Sequence, residues 1–187
     1  MSLDEDVKIF NRNKPLSSSD SGPMADDLKR QVVSGNMQRA RDLGKDIALS
    51  FRRAAARDEL MGLAESVGVE QDRAIKDQAI LLSVFTAEYC IKRHVVNQSL
   101  VAAAVAELYD NLLEDTPRLY QDLLRSPAFT FYYMNVDDVA DPDQIGSTFA
   151  MLCGSPRDLR LAEYGAQVFV KAQETYEAFI RDAGIMD

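Results

Sequence analysis

The chain has 187 residues, of which 47% are apolar and 27% charged, and its formal net charge is −9. This composition is typical of globular proteins, and the length allows one domain with a substantial core. The acidic balance opposes general affinity for nucleic acid or anionic lipid. The uncharged apolar runs are too short for a membrane span of roughly 20 residues, and the N-terminus lacks a secretory signal pattern. We therefore expect a cytoplasmic protein without a membrane segment.

Residues 1–23 are predicted to form a flexible N-terminal tail, followed by a single all-helical domain over residues 24–187. The serine-rich end of this tail cannot bury enough surface to offset the entropic cost of ordering it. Leu3, Val7 and Phe10 share one helical face, which predicts a short arm that docks on the domain or on a neighbour. The first three residues are compatible with an expression scar.

The rest of the sequence shows helical periodicity without hairpin-turn signals, which predicts an all-α fold. The segment 74–91 is uncharged between Gln78 and Ala87 and apolar on nearly every side of a helical wheel, so it predicts a buried central helix. The other helices have one apolar stripe, as a surrounding layer requires. The expected architecture is a bundle or orthogonal array of seven or eight helices. They are predicted at residues 26–34, 37–67, 70–94, 97–114, 117–125, 127–134, 142–153 and 156–183, with 127–134 the least regular.

Some details of these helices stay open at the level of sequence. Gly44 and Gly62 in the second helix indicate either close helix crossings or a break into two helices. The aromatic segment 128–134 is compatible with a helix or with an extended strand, because it shows no polar face. Four helix starts are predicted where a capping side chain precedes proline. These pairs are Thr116-Pro117, Ser126-Pro127, Asp141-Pro142 and Ser155-Pro156.

A basic segment, residues 29–57, stands out in this acidic chain, with eight Lys or Arg residues against two Asp or Glu residues. One interpretation is a helix that packs against the acidic remainder and is otherwise solvated. The other is a docking face for an acidic protein partner or a phosphorylated ligand. The candidate partner-binding residues are Arg39, Arg41, Lys45, Arg52, Arg53 and Arg57.

The aromatic side chains of segment 128–134 form a second candidate site. Such a cluster belongs either to the core or to the lining of an apolar ligand pocket between helices. The candidate pocket residues are Phe129, Phe131, Tyr132 and Tyr133.

Cys90 and His94 lie four residues apart on one face of the predicted central helix. A thiolate and an imidazole at this spacing can hold a metal or form a nucleophile with its base. Because His94 is the only histidine, a zinc site would also need Cys153 and carboxylates. We favour a buried cysteine beside a histidine that stabilises the negative end of the helix dipole. We therefore predict no metal site and no cofactor.

Residues 63–75 resemble a bacterial helix-turn-helix, with Ala64 on the first helix, Gly68 in the turn and Ala74 early in the second helix. In that motif the second helix enters the major groove of DNA. Here its leading face carries three acidic residues, which phosphates repel. The same helix also continues into the most apolar segment of the chain. An ordinary corner between two helices is therefore the preferred interpretation, and nucleic-acid binding is the less favoured one.

The sequence contains no phosphate-binding glycine loop, nucleophile elbow, His-Glu-x-x-His motif or Cys-x-x-Cys motif. The preferred hypothesis is therefore a non-enzymatic helical interaction or regulatory domain with a protein partner, which includes a second copy of the chain. The alternatives are a bundle that binds an apolar ligand at the aromatic cluster and a DNA-binding regulator that uses residues 63–75. A metal- or cysteine-dependent enzyme at Cys90 and His94 ranks last.

Overall fold

The computed structural model describes residues 23–136 and 140–186, and for residues 23–25 and 54–57 it describes the backbone alone. The described residues form nine α-helices and no strand, which confirms the all-α prediction. None of the described helices is both long and apolar enough to cross a membrane. The predicted tail lies outside the described residues except for Pro23. The helices are α1 (Pro23–Val33), α2 (Asn36–Ser50), α3 (Ala54–Ser66), α4 (Arg73–His94), α5 (Gln98–Asp115), α6 (Pro117–Arg125), α7 (Ala128–Met134), α8 (Pro142–Leu152) and α9 (Leu159–Ala183).

Helix α4 forms the buried centre of the fold, in agreement with the sequence pattern. Every residue from 81 to 91 is buried, and α4 packs against α5, α7, α8 and α9. Three polar or charged side chains lie inside this buried stretch, namely Ser83, Thr86 and Glu88. The hydroxyl of Ser83 donates to the carbonyl oxygen of Ala79, and the hydroxyl of Thr86 donates to that of Leu82. Both hydroxyls are therefore satisfied within the helix, and burying them leaves no unpaired donor.

The second predicted helix, residues 37–67, is two helices in the structure, which raises the count to nine. The break falls at residues 51–53. There the ring of Phe51 packs 6.0 Å from the ring of Tyr176 in α9, and Arg53 adopts an extended backbone immediately before α3. Tertiary packing of an aromatic side chain thus interrupts a sequence whose local preference is helical throughout.

Two glycines allow pairs of helices to approach closely. A Cβ on Gly44 of α2 would lie 2.2 Å from the backbone oxygen of Ala104 in α5, and a Cβ on Gly146 of α8 would lie 2.1 Å from that of Ala162 in α9. Any larger residue at these positions would push the helices apart. The α2–α5 and α8–α9 pairs are the most extensive helix contacts of the described fold. Gly62, in contrast, faces open space.

Two of the helix starts predicted at proline are confirmed. Helix α6 begins at Pro117 and α8 begins at Pro142, where the Asp141 carboxylate accepts a hydrogen bond from a backbone N–H of the first turn. Residues 128–134 form helix α7, which removes the extended alternative for the aromatic segment.

The predicted helix start at Pro156 is wrong, because α9 begins at Leu159. The carboxylate of Asp158 accepts hydrogen bonds from the backbone N–H groups of Arg160 and Leu161, at 3.0 and 3.3 Å. An aspartate that reaches two unpaired donors of the first turn sets the start of this helix.

Candidate functional site

Three of the candidate basic residues lie on α2. The side chains of Arg39, Arg41 and Lys45 are exposed, and the exposed Asp42 and Asp46 stand beside them on the same helix. The surface of α2 is therefore mixed in charge rather than uniformly basic.

The remaining basic candidates lie at the break between α2 and α3. Arg52 forms an ion pair of 2.9 Å with Asp115 at the end of α5, and Arg53 is exposed beside it. The side chain of Arg57 lies outside the described residues. Part of the basic segment thus packs against the acidic remainder, and docking of an acidic partner on the rest stays a prediction.

The four aromatic candidates separate into core and surface. The ring centroids of Phe129, Tyr132 and Tyr133 lie 5.7, 5.0 and 5.0 Å from that of Phe85 in α4, so these rings pack around a side chain rather than around free space. Phe131 makes no ring contact among the described residues and is 37% exposed, and Tyr133 is also partly at the surface, at 36% exposure. The structure does not bring the four side chains to one cavity, and an apolar-ligand site at this cluster stays a prediction.

Cys90 and His94 do not form a nucleophile and its base. Cys90 is fully buried, and burial together with the nearby Glu177 carboxylate raises the pKa of its thiol to about 12, so the thiolate is not populated near neutral pH. The Nε2 atom of His94 lies 3.1 Å from Oε1 of Glu177, which also accepts a hydrogen bond of 2.7 Å from Gln173. Among the described residues, no three His, Cys, Asp or Glu side chains come together as a metal-ligand group.

The helix-turn-helix-like segment 63–75 forms the corner between α3 and α4, and side chains tie this corner to α9. Arg160 donates a hydrogen bond of 3.3 Å to the carbonyl oxygen of Gly68, where the backbone has a φ of +68°. Gln71 donates a hydrogen bond of 2.6 Å to the hydroxyl of Tyr164. The turn predicted at Gly68 is therefore present, while DNA binding by the following helix stays a hypothesis.

Glu88 is the one buried carboxylate of the described core, at 7% exposure, and sequence reasoning did not single it out as a site. Three donors from three helices surround it: Lys92 of α4, Tyr109 of α5 and Tyr133 of α7, the last at 2.8 Å. Lys92 also lies 3.1 Å from the Tyr133 hydroxyl. A glutamate within the most apolar segment, with Lys92 one helical turn away, was the available signal, but the partners Tyr109 and Tyr133 are distant in sequence.

The electrostatics of Glu88 indicate a structural role. Burial raises the pKa of this carboxyl, but the hydrogen bonds from Lys92, Tyr109 and Tyr133 outweigh burial, and the net pKa lies below the usual range. A general base needs a pKa near the working pH. The carboxylate instead remains ionised and joins α5 and α7 to the central helix.

A groove of about 600 Å³ lies between α7 and α8. Its apolar wall includes Phe131, Met134 and Met151, of which Met134 is 73% exposed. Methionine side chains are flexible and polarisable, and they are frequent in surfaces that bind helices of varied sequence.

A second groove of about 620 Å³ lies along α9, between α8 and α3. Its exposed apolar side chains are Leu159 and Val170, and Leu159 is 83% exposed. Asp143 and Ser147 of α8 line both grooves, so the two are adjoining. We call these two cavities together the paired grooves.

The rim of the α9 groove is acidic. Asp143, Glu163 and Glu174 line it, and the single cation of that lining, Lys171, is shared between Glu174 at 3.9 Å and Glu59 of α3 at 3.4 Å. The carboxylates therefore outnumber the cation, and the local field favours a positively charged occupant.

No family model, curated protein or solved structure significantly matches this chain.

Proposed function

We propose that this chain is a non-enzymatic interaction domain that binds a basic amphipathic helix of another protein in the paired grooves. The observation that carries the proposal is the concentration of exposed large apolar side chains in two adjoining grooves, at Phe131, Met134, Met151, Leu159 and Val170. Contiguous exposed apolar surface, rimmed by polar residues, marks interaction sites in proteins of this size.

The dimensions of the α9 groove suit a helix. Its lining extends from Leu159 to Glu174 on α9, which corresponds to roughly 22 Å along the axis at 1.5 Å per residue. That length matches about four turns of a bound helix, the usual span for recognition through apolar residues spaced three and four apart.

The acidic rim favours a partner helix with Lys or Arg on its flanks. A second copy of this chain offers the basic residues Arg39, Arg41 and Lys45 on α2, but the exposed face of that helix carries no large apolar side chain to fill a groove. Helix α1 does have exposed apolar side chains, but its Lys29 and Arg30 pair with Asp26 and Asp27, so it has no net basic flank. Because an amphipathic partner helix supplies both the charge and the apolar anchors, we favour a different protein as the partner.

The direct test is a photo-crosslinking amino acid at position 147, which lies on the wall common to both grooves. A control variant of this chain carries the crosslinker at position 38, on the exposed surface of α2. After irradiation in an extract of the native cells, the crosslinked peptide is sequenced. We expect a peptide with net positive charge and helical apolar spacing, attached at position 147 and absent at position 38. An acidic peptide, a peptide from this chain itself, or equal crosslinking at both positions contradicts the proposal.

Charge-inserting variants supply an independent test. Leu159→Glu and Val170→Glu place a carboxylate among the apolar anchors, while Leu124→Glu does the same at a side chain that is 71% exposed on α6. We expect the two groove variants to lose the partner by at least about tenfold in affinity, as for interface anchors. We expect Leu124→Glu to bind the partner as tightly as the unsubstituted protein does. Equal loss in all three variants shows that the effect is one of net charge and removes support for the grooves.

A further inference from the structure

A separate cleft of about 730 Å³ lies between the N-terminal part of α4 and helix α6. Its charged lining consists of Arg73, Arg118 and Arg125 with Asp77 and Asp122. Arg73 pairs with Asp77 at 3.7 Å, whereas Arg118 and Arg125 form no ion pair within the described part of the chain. Charges more than about 8 Å away are largely screened at physiological salt. The lining of the cleft therefore carries three arginines against two aspartates, a small net positive charge, although the whole chain carries −9.

Helix α6 adds a second source of positive potential to this cleft. Arg118 and Arg125 are seven residues apart, so they lie on one face of α6, about 10 Å apart along its axis. The backbone N–H groups at the start of a helix have no partner within the helix and carry the positive end of its dipole. Thr116 and Pro117, at the start of α6, line the cleft, which places these donors beside Arg118.

The other walls of the cleft offer apolar surface. Phe51, Ile80 and Leu119 supply apolar contacts. The amide oxygen of Gln78 is buried and has no hydrogen-bond partner among the described residues. This oxygen is closed off from solvent, so the contact surface that this wall offers is the apolar one.

We propose that this cleft binds a small organic phosphate. The phosphate lies between the Arg118 guanidinium and the N-terminus of α6, with Arg125 on the same side, because guanidinium and free N–H groups recognise phosphate oxygens. The organic body packs on Phe51. The volume falls within the range of roughly 300–1,000 Å³ that small-ligand sites occupy. The cleft shares no lining residue with the paired grooves, so this site does not depend on the proposed protein partner.

Isothermal titration calorimetry at low ionic strength tests the proposal, with nucleoside monophosphates and sugar phosphates as probes. The matching unphosphorylated nucleosides and sugars, together with inorganic phosphate, serve as comparators. We expect at least one organic phosphate to bind at about 1 mM or below and at least tenfold more tightly than its unphosphorylated form and than inorganic phosphate. Failure of every organic phosphate to bind, or equal binding of inorganic phosphate, overturns the proposal.

A pair of double variants locates the site. Arg118→Glu with Arg125→Glu reverses two of the three positive charges in the cleft, and Arg157→Glu with Arg181→Glu makes the same change in net charge at two exposed positions outside the cleft. We expect the cleft variant to weaken phosphate binding by at least about tenfold, the effect of losing charge-assisted hydrogen bonds. The variant at positions 157 and 181 changes phosphate binding by less than about threefold. Equal weakening in both shows a response to net charge alone and refutes the site. Circular dichroism confirms that both variants are folded.

Discussion

The hydroxyl of Tyr133 donates a hydrogen bond of 2.8 Å to Oε1 of Glu88 and thereby joins the short helix α7 to the buried helix α4. With seven residues, α7 is too short to be stable alone. Its position depends on this contact and on the packing of its aromatic rings. Because Phe131 and Met134 of the paired grooves are also on α7, the buried carboxylate helps to place the proposed binding surface.

Tyr109→Phe tests the importance of the donors around Glu88. The substitution removes one hydrogen bond to a buried, ionised carboxylate and changes little else, so we expect a loss of about 1.5–3 kcal/mol in the free energy of unfolding, measured by urea denaturation. Tyr120→Phe is the matched control. Tyr120 packs against the ring of Tyr109 at 6.3 Å, but its hydroxyl makes no hydrogen bond within the described residues. Equal losses in the two variants would show that the Glu88 contact contributes nothing specific.

The lowered pKa of Glu88 predicts a pH-dependent contribution to stability. In the folded chain the pKa of Glu88 lies below the ordinary value of 4.5. At a pH between the folded pKa and the ordinary pKa, the unfolded chain therefore binds more protons than the folded chain. The contribution is therefore present above the ordinary pKa and is lost as the pH falls through the folded pKa. We expect Glu88→Gln to cost about 2–4 kcal/mol near neutral pH, and this difference from the unsubstituted protein to shrink on acidification. Urea denaturation over a pH series measures it, and a pH-independent difference contradicts the assignment.

The all-α class and the buried central helix could be predicted because both depend on local patterns. The segment around Phe85 has no charged face, and such a helix has no stable position at a surface. The break at Phe51 could not be predicted, since it depends on a ring in α9 that is 125 residues away in sequence. Local propensity favours a continuous helix there, and packing overrides it.

The candidate site was less accessible to sequence reasoning than the fold. Phe131 was identified as a pocket residue and does line a groove, but the rings of its three aromatic neighbours pack on Phe85 instead of on a cavity. The paired grooves also require Met151 and Leu159, which belong to separate helices and follow no common motif. Exposure of an apolar side chain is a tertiary property, since the same residue types fill buried stripes elsewhere in the chain.

Two glycine substitutions should change stability in opposite directions. Gly44→Ala places a Cβ 2.2 Å from the backbone oxygen of Ala104, so α2 and α5 must separate, and we expect a loss of about 1–3 kcal/mol. Gly62→Ala meets no atom within 4 Å and lies inside helix α3, where alanine is favoured by about 0.5–1 kcal/mol. Thermal denaturation of both variants measures the two changes in stability. A stabilising Gly44→Ala would show that the α2–α5 crossing is wider than described.

Asp158 and Ser155 provide a direct comparison of the observed and the predicted start of α9. Asp158→Ala removes the side chain that accepts from two backbone N–H groups, so we expect a loss of about 0.5–2 kcal/mol in the free energy of unfolding. Ser155 is exposed, and its side chain makes no hydrogen bond among the described residues. Ser155→Ala should therefore change stability by less than about 0.5 kcal/mol, the usual range for surface positions. A larger loss of stability in Ser155→Ala than in Asp158→Ala would instead support a helix start at Pro156.

Cys90 should be unreactive in the folded protein. Its side chain is fully buried, and burial with the adjacent Glu177 raises the pKa of the thiol to about 12, so modification requires the protein to open. In a Cys153→Ser variant, a disulfide reagent should label Cys90 slowly in buffer and rapidly in urea. The Cys90→Ser variant retains the half-buried Cys153, whose pKa burial also raises to about 12, and partial exposure should let it react sooner. Rapid stoichiometric labelling of Cys90 without denaturant would contradict its burial and return Cys90 and His94 to consideration as a reactive pair.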